Sequence, residues 1–192
     1  MPRARRPRFV LVGGGARSGK SRFALELAQR LGRRRTFVAT AEALDPEMRR
    51  RIDRHRQERG AAFTTLEEPL ALPEAIAGVT GADVVVIDCL TFWLSNLLMR
   101  DEAPDPALRR IADLRAAIAG RRCHVVLVSN EVGMGLVPET PLGRTFRDLT
   151  GQAHQQLSAD ADEIYAALLG QILRLRPSPV RLCPPSGANR LR

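Results

Sequence analysis

Phe9-Val10-Leu11-Val12-Gly13-Gly14-Gly15-Ala16-Arg17-Ser18-Gly19-Lys20-Ser21 is the stretch that decides the fold. Its first four residues are a continuous apolar run, the pattern of a strand buried on both faces. Gly14 to Ser21 then match G-x-x-x-x-G-K-[ST] in full, and Lys20–Leu31 reads as a helix. Strand, glycine-rich loop and helix, in that order, make a phosphate-binding loop. The glycines let the backbone turn tightly so that its N–H groups face phosphate oxygens, and the helix adds its positive end. Lys20 reaches the β- and γ-phosphates, and Ser21 offers its hydroxyl to Mg²⁺. Composition singles out the same position, because 29 of the 30 basic residues are arginine and Lys20 is the one lysine. A chain that uses guanidinium groups almost everywhere keeps its compact ammonium where a point charge is needed.

Outward from the loop, apolar runs alternate with longer helical segments. The spacing predicts strands over Phe9–Val12, Thr36–Thr40, Val84–Asp88, His124–Ser129 and Glu163–Leu168. Helices are predicted over Lys20–Leu31, Pro46–Arg59, Thr91–Met99, Pro106–Ala119 and Arg144–Asp160. This alternation is the grammar of an α/β fold with a mainly parallel central sheet. In the last helix Phe146, Leu149, Ala153 and Leu157 recur at steps of three and four, which marks a core-facing stripe. Asp88 closes the third strand where ligands bind an open α/β sheet, so it is placed as a metal-side acid. Polar residues of Ser129-Asn130-Glu131-Val132-Gly133-Met134-Gly135, after the fourth strand, are expected to line the same crevice.

A chain of 192 residues with 44% hydrophobic and 27% charged residues holds one domain with a sizeable core. We place it at residues 9–175, between a basic tail at 1–8 and a Pro/Arg-rich tail at 176–192. The net charge of +9 invites a nucleic-acid reading. That reading is set aside, because the arginines form no block with interleaved aromatics and aromatic residues are only 4%. The longest apolar stretch, Val84 to Met99, is broken by Asp88, Ser95 and Asn96, so no membrane span is expected. Cys89, Cys123 and Cys183 are odd in number and far apart, which indicates neither a disulfide framework nor a zinc site. With no export signal read at the N-terminus, a cytoplasmic enzyme is expected.

Five strings in order carry a resemblance to a known family: Gly14–Ser21; Ala39-Thr40-Ala41 with Asp45-Pro46-Glu47-Met48 and Arg51-Ile52-Asp53-Arg54-His55-Arg56; Asp88-Cys89-Leu90-Thr91 with Asn96-Leu97-Leu98; Ser129–Gly135 with Val137-Pro138-Glu139; and Phe146-Arg147-Asp148. Over Phe9 to about Leu175 the chain resembles the bifunctional adenosylcobinamide kinase/adenosylcobinamide-phosphate guanylyltransferases of cobalamin biosynthesis.

The resemblance implies a RecA-like P-loop NTPase fold in three layers, and two successive reactions. A nucleoside triphosphate, ATP or GTP, first phosphorylates the aminopropanol hydroxyl of adenosylcobinamide. GMP from GTP is then carried on a histidine to the new phosphate, giving adenosylcobinamide-GDP. The family's nucleophile falls on His55. Its nucleotide-contacting positions fall on Gly14, Gly15, Ala16, Arg17, Ser18, Gly19, Lys20, Ser21, Ala39, Thr40, Ala41, Arg56, Gln57, Glu58, Arg59, Glu67 and Asp88, with Mg²⁺ at Ser21 and Asp88. Relatives form trimers, so a homo-oligomer is implied. Some members carry two adjacent histidines where this chain has Arg54-His55.

The residues give this assignment partial independent support. His124 opens a buried strand and His154 lies on a helix with an apolar face, whereas His55 sits in a polar run with no core role. A neutral imidazole nitrogen attacks phosphorus, and the cations of the run neutralise a triphosphate and its departing pyrophosphate. Glu67 has the acceptors to take two hydrogen bonds from the guanine N1–H and 2-amino edge. Two rival readings share the loop and Asp88. A monofunctional small-molecule kinase owes nothing to His55, and a RecA-like nucleic-acid-dependent ATPase would be stimulated by DNA or RNA.

Overall fold

The computed structural model describes residues 6–43, 45–101 and 104–177, without the side chains of Arg51, Glu58 and Asp101. Most of both tails expected at 1–8 and 176–192 lies outside these residues. The parallel strands are β1 (Phe9–Gly14), β2 (Arg35–Ala39), β3 (Thr64–Glu67), β4 (Val84–Asp88), β5 (His124–Asn130) and β6 (Glu163–Leu168). A seventh, β7 (Gln171–Arg176), returns antiparallel on β6. The sheet order is β3-β2-β4-β5-β1-β6-β7, with the phosphate-loop strand well inside it. The helices are α1 (Lys20–Leu31), α2 (Pro46–Arg59), α3 (Leu72–Gly78), α4 (Leu90–Asp101), α5 (Pro104–Ala119) and α6 (Pro141–Asp160).

Period-two alternation in the central strands supplies two cores. Phe9, Leu11, Val85, Ile87, Val125 and Leu127 face one side, packed with apolar residues of α3, α4, α5 and α6. Val10, Val12, Val84, Val86, Val126 and Val128 face the other, where Ala24 and Ala28 let α1 lie close to the sheet. The result is the three-layer α/β arrangement expected. The α6 stripe behaves as predicted: Leu149, Ala153 and Leu157 are buried, with Phe146 packed at their margin.

Two strands and one α-helix were not anticipated. β3 is exposed along its whole length and exists by its ladder to β2, so its sequence carries no apolar signal. α3 spans only seven residues, too few for a periodicity to register, although Leu72, Pro73 and Ile76 are buried. β7 is largely exposed, and it takes in Arg176, which the sequence reading assigned to the C-terminal tail. The predicted helix starts at Thr91, Pro106 and Arg144 also move earlier, to Leu90, Pro104 and Pro141. At α6 the reason is local: the Thr140 side chain caps the helix by accepting from the Gly143 N–H, and Pro141 suits the first turn. No helix among the described residues is long and apolar enough to cross a membrane.

Candidate active site

Strand register builds the site. Ala39 pairs with both Glu67 and Asp88, and Gly14 pairs with Asn130. The last residues of β1, β2, β3, β4 and β5 are therefore Gly14, Ala39, Glu67, Asp88 and Asn130, set along one edge of the sheet. That is the carboxyl edge at which open α/β sheets bind ligands.

The loop after β1 has the backbone its glycines permit. Gly14 and Gly19 take φ of 156° and 90°, and Arg17 takes 55°. At Gly14 an added Cβ would lie 2.6 Å from the Ala167 carbonyl oxygen on β6, so no larger residue fits. Gly19 caps α1 without any side-chain bond, which leaves the first-turn N–H groups for a ligand. Ser18 Oγ is buried and has no hydrogen-bond partner among the described residues, an orphan that a phosphate oxygen would satisfy. Lys20 is buried and its Nζ donates to the Gly15 carbonyl oxygen at 3.0 Å, folded back over the loop.

α2 is the other wall. Its start is fixed by Asp45, whose carboxylate accepts from the Met48 N–H at 2.7 Å, and by Pro46. A cavity of about 560 Å³ lies between this helix and the sheet edge. Lys20, Ser21, Ala39, Ala41, His55, Arg56, Arg59, Glu67 and Asp88 all line it, so residues scattered over the sequence meet at one place. Arg56 donates to the Glu67 carboxylate, which raises the Arg56 pKa further. Arg59 is buried with its guanidinium carbon 3.9 Å from the Phe37 ring centroid, a cation–π contact that the charge pattern alone did not reveal. Phe37, Phe92 and Asn130 also line the cavity; of these, only the Asn130 segment was flagged from sequence, by its place after a strand.

Other predicted positions fall differently. Arg17, Ser18 and Gly19 line a second cavity beside the first, while Gly14, Gly15 and Ala16 form the turn behind it. Gln57 is exposed and lines neither cavity, and Glu58 lies outside the described side chains. Thr40 is fully buried: its hydroxyl donates to the Cys89 carbonyl oxygen at 2.7 Å and accepts from the Cys89 N–H at 2.8 Å. Its own carbonyl oxygen accepts from Asn96 Nδ2 at 2.8 Å. Thr40 thus ties the end of β2 to the turn that carries Asp88. Cys89 is no nucleophile, because burial first and the Asp88 charge second push its thiol up to about 11.

For Mg²⁺ the donors fit. Ser21 and Asp88 border the same cavity, and no group of three or more His, Cys, Asp or Glu side chains suited to a metal occurs among the described residues. One hydroxyl and one carboxylate suit an ion whose other ligands are phosphate oxygens and water.

A sequence profile described as cobinamide kinase / cobinamide phosphate guanyltransferase matches residues 10–175. The chain is 39% identical over 173 residues to the bifunctional adenosylcobalamin biosynthesis protein CobP of Pseudomonas aeruginosa, covering 88% of this chain and 98% of that protein. It is 42% identical over 179 residues to the bifunctional adenosylcobalamin biosynthesis protein CobU of Escherichia coli K12, covering 84% and 96% respectively. Among solved structures, the RadB recombinase superposes with a TM-score of 0.50 at 15% identity, covering 83% of this chain and 73% of its own, which speaks for the RecA-like P-loop fold alone.

Proposed function

The chain belongs to the cobinamide kinase / cobinamide phosphate guanyltransferase family, and from that membership we propose the course of its two reactions and the residues that perform them. In the first, the aminopropanol hydroxyl of adenosylcobinamide attacks the γ-phosphorus of ATP or GTP. Loop N–H groups and Lys20 hold the phosphates and balance the charge that develops on them. Mg²⁺ held by Ser21 and Asp88 would supply further neutralisation of the phosphate oxygens. In the second, a neutral His55 nitrogen attacks the α-phosphorus of GTP, the bond to the bridging oxygen breaks, and pyrophosphate leaves. The guanylyl group then passes from His55 to the phosphate of adenosylcobinamide phosphate.

One observation supports this reading above the others: His55 borders the same cavity as Lys20, Ser21 and Asp88. A monofunctional kinase gives no reason for an imidazole there. Glu67, at the end of β3, is the acceptor for the guanine edge, with Arg56 keeping its carboxylate in place. We also assign the chain to the cytoplasm as a homotrimer that acts without nucleic acid.

The test uses GTP labelled at the α-phosphate. The wild-type chain should acquire label that is lost in acid and kept in base, as a phosphoramidate requires. His55→Asn should acquire none while still phosphorylating adenosylcobinamide. Full labelling of the variant would move the nucleophile elsewhere, and equal loss of both reactions would make His55 a shared binding residue.

A further inference from the structure

α2 has two working faces. Met48, Ile52, His55, Arg56 and Arg59 line the larger cavity, whereas Glu47, Arg50 and Arg54, at steps of three and four, line a second of about 410 Å³. The phosphate loop forms the opposite wall of this second space through Arg17, Ser18 and Gly19. Lys20, Ser21 and His55 border both cavities. The reaction centre therefore opens on two sides with unlike linings. The larger opening sets Phe37, Phe92 and Ile52 among four cations, Lys20, Arg49, Arg56 and Arg59, that four acids, Glu42, Asp53, Glu67 and Asp88, balance, with apolar area for a nucleoside. The smaller is walled by five cations, Arg17, Lys20, Arg22, Arg50 and Arg54, against one acid, Glu47. Arg22 pairs with Glu26 at 3.6 Å, but Arg17, Arg50 and Arg54 make no ion pair with any described residue.

We infer that this basic cavity is the subsite for the acceptor's phosphate, a phosphate monoester dianion on a bulky alcohol, during guanylyl transfer. The inference rests on the histidine reading above. Once a nucleoside fills the larger cavity, a bulky acceptor needs the other approach to the phosphorus on His55. An anion nearing an anionic centre needs cations on its path, and once pyrophosphate has left, this cavity offers Arg50 and Arg54 beside the loop amides and Lys20 that had held it. Arg50 and Arg54 are exposed guanidinium groups able to take phosphate oxygens two at a time. In the step itself an acceptor phosphate oxygen forms a bond to the guanylyl phosphorus as the nitrogen–phosphorus bond breaks. The electron pair of the broken bond stays on the ring nitrogen, and the other ring nitrogen keeps its proton, so His55 returns to neutral imidazole.

Arg50 provides the test, being exposed on a helix face and outside the nucleotide positions. Full-length wild type, Arg50→Ala, Arg50→Glu and Arg50→Lys are labelled with α-labelled GTP, freed of excess nucleotide and chased with increasing adenosylcobinamide phosphate. Label yield should match wild type in all three variants. The acceptor concentration for half-maximal transfer should rise roughly tenfold in Arg50→Ala, the worth of a charged hydrogen bond, more in Arg50→Glu, and recover in part in Arg50→Lys. Label yield falling in step with transfer would assign the cation to the triphosphate and overturn the inference. So would an unchanged half-maximal concentration in Arg50→Glu. Absence of label on the wild-type chain would instead remove the histidine reading beneath it.

Discussion

Replacing Thr40 by valine separates a residue that touches nucleotide from one that holds the residues that do. Valine keeps the shape and removes the hydroxyl, leaving the buried Cys89 N–H and carbonyl oxygen without the partner that now lies 2.8 and 2.7 Å away. Each buried backbone group left unsatisfied costs about 1–3 kcal/mol, and with some relaxation the pair costs roughly 2–4 kcal/mol. At about 2–4 °C per kcal/mol for a chain of this length, the thermal midpoint should fall by roughly 5–15 °C. Thr40→Ser keeps both bonds and loses only a methyl group, so it should cost about 1 kcal/mol. Calorimetry on nucleotide-free protein measures both. Kinase turnover should follow the same order, because the peptide that Thr40 grips joins Asp88 to Cys89. If Thr40→Val melted within about 2 °C of wild type yet lost GTP affinity, the hydroxyl would be a nucleotide contact and the bracing argument would be wrong.

Lys20→Ala should abolish or severely reduce phosphoryl transfer, and Lys20→Arg should do little better, because a planar fork does not fit where the compact ammonium folds back onto Gly15; wild-type turnover in the arginine variant would refute this. Burial holds His154 below the ordinary imidazole value, with Glu131 opposing, and burial also lowers His124. The folded state therefore favours the neutral ring, so the stability it contributes is present in full above about pH 6.5 and is lost as pH falls through the depressed folded value. The thermal midpoint should fall between about pH 7 and 5. It should fall less steeply in His154→Gln, and parallel slopes would count against the assignment.

Legibility in the sequence followed burial and locality. β1, the loop and α1 were readable because their constraints are local: an apolar run, glycines at special φ, then a helix. β4 was readable because a strand covered on both faces is apolar throughout. β3 left no such trace, since its residues are exposed and only pairing with β2 makes it a strand. Glu67 was found through resemblance alone, while its partnership with Arg56 depends on where that strand docks. α2 was legible as a helix but not as a partition between two cavities, because its charged residues look alike in one dimension. The hydrogen bond between Ser129 Oγ and His154 Nε2, 2.7 Å across 25 residues of chain, was beyond reach for the same reason.

The strand that carries the phosphate loop is made before either of the strands it pairs with. Phe9 pairs with Val125 and Val10 with Glu163, so β1 has no lateral neighbour until β5 is made and gains its second only with β6. Closing such long loops before any contact rewards them makes this sheet slow to form. At synthesis rates of about 5–20 residues per second, β1 waits roughly eight to thirty seconds for β6 to follow it out. Until then Phe9 to Val12 lacks at least one of the two strands that flank it in the folded sheet. The last residue in chain order to line the larger cavity is Asn130, so a nucleotide has no finished pocket to select or stabilise until β5 has been made.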